Sequence, residues 1–303
     1  MTRSGAVIAR LNRAPIRTDP KVDRSARGGL RHRMQSAAVF AALSAYTFLV
    51  LAPILWIVSM SFKHGNEIVA YPPPIFNFRP TLANYQTILS QPDFLGPFKN
   101  TLIVTGGSLL LTAVVGLPAA YALATMKFRF KEDFAFTFLS LRFAPELFVV
   151  VPLFSLFVRL QLTNTYLGLI LAYQLVTFPL TVWMMRSFFE DVPREIEEAV
   201  LIDGGSRFTA FRMIVGHIAL PGLAASAVLS FIFAWNSYAL PLVLAGPDTQ
   251  VVTSAILSYI KFANVEWGQL AAGAVVSILP GLLVATLLLR YVIRGMTAGT
   301  VKG

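Results

Sequence analysis

The chain has 303 residues, of which 56% are hydrophobic and only 13% charged, with no cysteine and a net charge of +10. That balance lies outside the soluble globular range and inside the membrane class, and the lack of thiols excludes disulfide chemistry and cysteine nucleophiles. The positive charge would suggest nucleic acid in a soluble protein. Here nine of the 25 basic residues precede Met34, in a tail without an apolar core that reads as cytosolic and disordered.

Six apolar segments follow, at about 36–62, 98–126, 134–160, 165–189, 217–245 and 268–294. At roughly 20 residues per crossing, each is long enough to span a bilayer as a helix. Interior Gly116, Pro118, Pro179 and Pro280 would weaken a soluble helix and are tolerated in a membrane bundle. The first apolar run is longer than a signal-peptide core and follows a charged tail, so no cleaved signal peptide is expected. The expected fold is all-α and polytopic, with a tail at 1–34, a six-helix domain at 35–295 and a second tail at 296–303.

Basic residues in short flanking loops stay on the cytoplasmic side. If six spans alternate, the Arg-rich tail, Lys127/Arg129/Lys131, Arg194/Arg207/Arg212 and Arg294/Lys302 share that side, and both termini are cytoplasmic. The opposite side receives a long loop at about 63–97, containing Pro72 to Pro74, and shorter loops near 159–164 and 246–267.

Between the fourth and fifth spans lies the one long polar insertion, Glu190 to about Gly216. It holds six of the chain's 15 acidic residues, Glu190, Asp191, Glu195, Glu197, Glu198 and Asp203. Asp191 is placed to cap a helix start, Pro193 suits its first turn, and Glu195 adds negative charge where the helix dipole favours it. Ile196, Ala199, Val200 and Asp203 recur at helical spacing beside a charged face. Gly204-Gly205 stops that helix, and Ser206 caps a second one on which Phe208, Phe211 and Val215 fall close to one face. An amphipathic helix lying on lipid is one reading. Its acidic polar face, which anionic lipid repels, favours docking to a protein partner.

Glu198-Ala199-Val200, three residues, Gly204, nine residues and then Ile214 resemble the EAA loop of ATP-binding-cassette importer permeases. The stretches Phe231 to Tyr238, Pro145 to Phe154 and Thr163 to Leu171, with the ending RGMTAGTVKG, are similar to the carbohydrate-uptake, maltose-type branch. The resemblance implies that the loop is a coupling helix seated in a cytoplasmic ATPase, with Glu198, Ala199, Asp203 and Gly204 as docking positions. It also implies an inner-membrane location, an ATPase dimer, a second permease subunit, a periplasmic or lipid-anchored solute-binding protein, a sugar-type solute and a C-terminal tail touching the ATPase. Three positions depart from the family pattern. Val200 replaces its second Ala, Gly205 stands where Ala is usual, and Gly216-His217 replaces Leu-Pro.

Arg142 and Glu146 fall in the third segment, where ionisable groups are costly and mark either a solute pathway or an internal ion pair. Being four apart, they are expected to pair on one helix face. Trp235, Asn236 and Tyr238 supply the aromatic faces and hydrogen-bonding groups a sugar site needs, and equally those that helix packing needs. His217, His32 and His64 are assigned to separate places, so no metal site is expected.

No phosphate-cradling Gly-rich loop, HExxH pair or nucleophile elbow occurs, so the chain is not expected to be an enzyme or to bind a cofactor, and ATP is left to another subunit. Two alternatives remain at this stage. A self-contained secondary transporter or channel usually shows internal repeats, and none is convincing here. A membrane scaffold recruiting a cytoplasmic protein leaves the charges within the spans unexplained.

Overall fold

The computed structural model describes residues 24–143, 146–260 and 265–298, with side chains described over 35–141, 146–260 and 265–289. The chain divides into two units, residues 1–54 and 55–303. The first unit contributes most of helix α1 (Arg24–Ser61). The helix begins inside the stretch read as a tail, where Ala26, Leu30, Met34, Gln35 and the arginines favour it and Gly28-Gly29 do not. The call for a disordered arm otherwise falls on residues 1–23, outside the described residues.

In the second unit the long loop after α1 is partly helical, with α2 (Gly65–Ile68) and α3 (Ala83–Ser90). Helix α4 (Pro92–Thr125) has 34 residues, about 50 Å at 1.5 Å per residue, and carries Pro97, Gly116 and Pro118 without a break. Then come α5 (Lys131–Phe143), α6 (Glu146–Arg159), α7 (Tyr166–Ala172) and α8 (Gln174–Glu190). The polar insertion forms α9 (Arg194–Ile202) and α10 (Arg207–Met213), running into a wide π turn over Ile214–Ile218. Helices α11 (Leu220–Trp235), α12 (Ala239–Leu244), α13 (Val252–Ala255) and α14 (Trp267–Ala298) complete the chain.

Among the described residues, three helical stretches, Gln35–Ser61, Pro92–Thr125 and Trp267–Leu289, are individually long and apolar enough to cross a membrane. Three further crossings arise only if α5 with α6, α7 with α8, and the α10 and π segment with α11 each count as one bent span. The expected segments at 165–189 and 217–245 are therefore not straight helices. The first bends by 43° at Tyr173, and the second turns by 77° at Ala219 and breaks again after Trp235.

Helix α4 is the axis of this unit. Near its beginning, Asn100 Nδ2 donates to the carbonyls of Asp248 and Gln250 at 3.1 and 2.9 Å, and Tyr166 donates to Asn100 Oδ1 at 2.7 Å. Asn164 Nδ2 reaches Asp248 at 2.8 Å, so the loops before α7 and after α12 close over the same end. At the far end Leu117, Ala120, Tyr121 and Leu123 form a core with Met185 and Phe189 of α8, Ala135 of α5 and Ile214. Between the two ends, Thr112 donates to Gln174 Oε1 at 2.7 Å and shares a 2.7 Å hydrogen bond with Thr177. Thr181 and Ser230 join α8 to α11 at 3.0 Å. Such small hydroxyl contacts fix helix pairs where apolar burial gives no preference between protein and lipid.

Candidate functional site

Pro193, and not Asp191, precedes the first turn of α9 and offers no side-chain cap. Asp191 instead closes α8, its amide donating to Ser187 O at 3.2 Å. The difference arises because α8 runs one residue beyond the apolar segment, to Glu190, and leaves Asp191 in helical geometry. The first turn of α9 nevertheless carries Glu195 and Glu197, which suits the positive end of the dipole.

The turn between α9 and α10 is a Schellman motif. Gly204 N–H donates to Leu201 O at 3.1 Å and Gly205 N–H to Val200 O at 2.8 Å. Gly204 adopts φ +82°, the left-handed region open to glycine, and no atom lies within 4 Å of where its Cβ would be. The glycine is thus required by backbone conformation, while the space beside it is open. Ser206 Oγ then accepts from Thr209 N at 3.2 Å and caps α10.

One flank of the pair is anchored. Ile196, Phe211 and Val215 pack against the core at the end of α4, with Phe211 tilted on Tyr121 at 5.2 Å. The other flank is bare: Glu198, Ala199, Asp203 and Gly204 are all exposed, and Ile202 and Phe208 are 84% and 65% exposed. Large apolar side chains beside carboxylates on a fixed turn form a surface suited to a protein cleft, since interface anchors combine apolar bulk with a polar surround. Phe208 keeps its expected place beside Phe211, the ring centroids 6.2 Å apart, and stands at the exposed edge of that face.

The return path is a corner. Ala219 N–H donates to Ile214 O at 2.9 Å, the five-residue spacing of a π turn, and α11 leaves with Pro221 in its first turn. His217, exposed, places Nδ1 3.3 Å from Met213 O. Where Gly216-His217 replaces the usual Leu-Pro, the backbone therefore makes a wide turn.

Of the five residues expected along a solute pathway, the four with described side chains do not form one cluster. Trp235 is buried, stacked on Phe231 at 5.3 Å and donating from Nε1 to Ser277 O at 2.9 Å, which makes it a packing residue between α11 and α14. Asn236 ends α11 by donating to Ile232 O at 2.8 Å, and Asn236 and Tyr238 are both exposed at the break before α12. Glu146 is exposed in the first turn of α6. Arg142 is in α5 and Glu146 in α6, and the expected pairing between them falls on the Arg142 side chain, which is outside the described residues. Tyr173 and Ser237, at two of the helix breaks, are buried polar residues that the sequence does not single out.

Arg186 was also missed. Its Nη2 donates to both carboxylate oxygens of Glu132 at 2.7 and 2.8 Å, and its Nε donates to Glu190 at 2.7 Å. A cavity of about 240 Å³ lies where α4, α8 and α9 meet, lined among others by Thr125, Lys131, Glu190, Arg194 and Glu197. No group of three or more potential metal ligands occurs among the described residues.

Comparison with known proteins gives this geometry a context. Residues 114–298 match the family described as binding-protein-dependent transport system inner membrane component. A probable ABC transporter permease protein of Sinorhizobium fredii is 33% identical over 84% of this chain and 91% of its own length. The trehalose/maltose transport system permease protein MalG of Thermococcus litoralis is 30% identical, covering 84% and 92%. The sulfoquinovosyl glycerol transport system permease protein SmoH of Agrobacterium fabrum is 32% identical, covering 87% and 93%. A chain from the crystal structure of a bacterial ABC transporter involved in the import of the acidic polysaccharide alginate superposes with a TM-score of 0.73 at 22% identity, covering 86% of this chain and 96% of that one. Family match, relatives and fold agree, and the chain belongs to the binding-protein-dependent transport system inner membrane component family, as a permease subunit of an ATP-binding-cassette importer.

Proposed function

We propose that this permease imports a sugar or sugar derivative, with a second permease subunit, an ATPase dimer and a periplasmic or lipid-anchored solute-binding protein. The sugar class rests on relatives whose names specify trehalose/maltose, diacetylchitobiose and sulfoquinovosyl glycerol. Six spans, with both termini and residues 190–216 on the cytoplasmic side, fit the positive-inside distribution. Residues 35–295 then form the transport domain, with 1–34 and 296–303 as cytoplasmic tails. The shared cavity of Lys131 and Arg194 agrees with one side for their loops, and the hydrogen bonds among Asn100, Asn164 and Asp248 agree with the other.

The observation that carries the coupling role is the glycine turn that leaves Ile202 and Phe208 bare beside Glu198, Ala199 and Asp203. Burying one such side chain in an ATPase cleft contributes about 2 kcal/mol. Glu146, Asn236 and Tyr238 remain the pathway candidates, joined by Tyr173 and Ser237 and with Trp235 reassigned to packing. Discontinuous helices are where transporters place binding groups. Arg142 is kept as a candidate from sequence alone.

The test is extraction of the tagged chain from its native membrane in mild detergent, with mass spectrometry of what co-purifies. Wild type should bring an ATPase and a second permease, and Gly204→Trp should lose the ATPase alone. Recovery of this chain by itself, under conditions that preserve other membrane complexes, would contradict the proposal.

A further inference from the structure

The polar groups at the junction of α8 and α9 form a connection that the coupling reading does not require. Arg186 sits one turn before the end of α8, with its side chain only 13% exposed. It holds Glu190, the last residue of α8, and Glu132, in the first turn of α5, which lies 54 positions away in sequence. Glu190 leads through Asp191, Val192 and Pro193 directly into α9. One guanidinium therefore joins the root of the exposed helix pair to the foot of a different membrane helix.

The surroundings make this connection matter. Beside Glu190 the junction is hollow, its cavity walls including Lys131 at the start of α5 and Arg194 and Glu197 on α9. Lys131 donates from Nζ to Ala124 O at 3.3 Å, which ties the start of α5 to α4 and not to α9. Among the described residues, the two ion pairs of Arg186 are the salt bridges found. Glu132 is 73% exposed, and so open a pair adds little to global stability. Its geometry is nonetheless specific, because a planar guanidinium fixes the directions of its N–H groups in a way an ammonium does not.

We infer that Arg186 is a positioning residue that makes α5 and the α9–α10 pair move as one body, so that displacement of the pair reaches the membrane bundle. This inference rests on the coupling role proposed above.

The chain has no cysteine, so spin labels at Thr137→Cys on α5 and Arg212→Cys on α10 report the distance between the two bodies in the detergent-extracted complex. Wild type is expected to give a narrow distribution. Arg186→Gln and Glu132→Gln should each at least double its width while the ATPase still co-purifies. Glu190→Gln, which breaks only the contact within α8, should stay narrow, and Arg186→Lys should fall between. Glu132, being exposed, is a substitution the fold tolerates, so failure of Arg186→Gln to insert leaves the test intact. If Glu132→Gln keeps the wild-type distribution, or if Glu190→Gln alone broadens it, Arg186 merely secures a helix end and the inference is overturned. Absence of an ATPase from the wild-type extract overturns the coupling reading instead, and that result is read independently of the distances.

Discussion

Val200 and Gly205 are fitted to each other. The Gly205 amide donates to the Val200 carbonyl at 2.8 Å, and a Cβ on residue 205 would stand 2.7 Å from Val200 Cγ1 and 2.8 Å from that carbonyl oxygen. Each residue departs from the EAA pattern, Val for Ala at one position and Gly for Ala at the other. Together they exchange bulk across one turn. Gly205→Ala alone is expected to destabilise the turn by about 1–2 kcal/mol through overpacking. Adding Val200→Ala should recover part of that loss, with a coupling of about 1 kcal/mol. Amide exchange at residues 204 and 205 measures it, and strictly additive effects would refute the pairing.

Gly204 is constrained in a different way. Its φ is +82° with open space around it, so the penalty for a side chain in the free protein is conformational. Gly204→Ala should cost about 1 kcal/mol, and Gly204→Asn less, because Asn tolerates the left-handed region. Gly204→Trp adds a steric obstacle only where a partner fills the space. Unfolding midpoints should therefore be similar for Ala and Trp, while ATPase retention separates them.

Lys63 is 1% exposed and donates from Nζ to Pro74 O at 2.7 Å, with its ammonium 4.7 Å from the Trp56 ring centroid and 4.8 Å from that of Phe78. It pins the loop between α2 and α3 to the end of α1. Lys63→Met keeps the stem and removes the charged donor, at a cost of about 2 kcal/mol. Protease cleavage within residues 69–80 should become faster, while the bundle helices stay protected. Unchanged cleavage would mean that the loop is held by other contacts.

The same loop has a pH-dependent clasp. Glu67 accepts the Arg79 amide at 3.1 Å and the His64 amide at 3.3 Å. The Arg79 hydrogen bond is the main cause holding its carboxyl below the ordinary carboxylate range, against partial desolvation. A depressed carboxylate stabilises the fold above its unfolded pKa, and that contribution is lost as pH falls through the folded value. Exchange at the amides of Arg79 and His64 should accelerate as pH is lowered through the acidic range, relative to neighbouring amides. Glu67→Gln should remove that difference.

Legibility differed from one part of the fold to another for physical reasons. The insertion at 190–216 could be read because its charge, its glycine pair and Ser206 each have a local effect. Asp191 was misassigned, because whether a helix stops at 189 or 190 depends on packing outside the window. The breaks at Tyr173, Ala219 and Asn236 were illegible, since a helix that is apolar all round shows no change of periodicity where it bends. Pro118 and Pro280 sit inside unbroken helices, as their tolerance in a membrane bundle implies, and so mark none of the breaks. Lys63 reads as a loop lysine in sequence, and only the fold brings Trp56 and Phe78 around it. Arg186 and Glu132 are 54 positions apart, and nothing local marks them as partners.

The central claim, that the glycine turn presents a docking surface to an ATPase on the cytoplasmic side, is tested most directly by a single thiol at Ile202→Cys in a chain that has no other. Inverted membrane vesicles are treated with a membrane-impermeant maleimide before and after the ATPase is stripped. Labelling that is slow in the intact complex and at least tenfold faster after stripping, with Tyr71→Cys unreactive in both, is the predicted result. Equal labelling of Ile202→Cys with and without the ATPase, or labelling only in right-side-out vesicles, would contradict it.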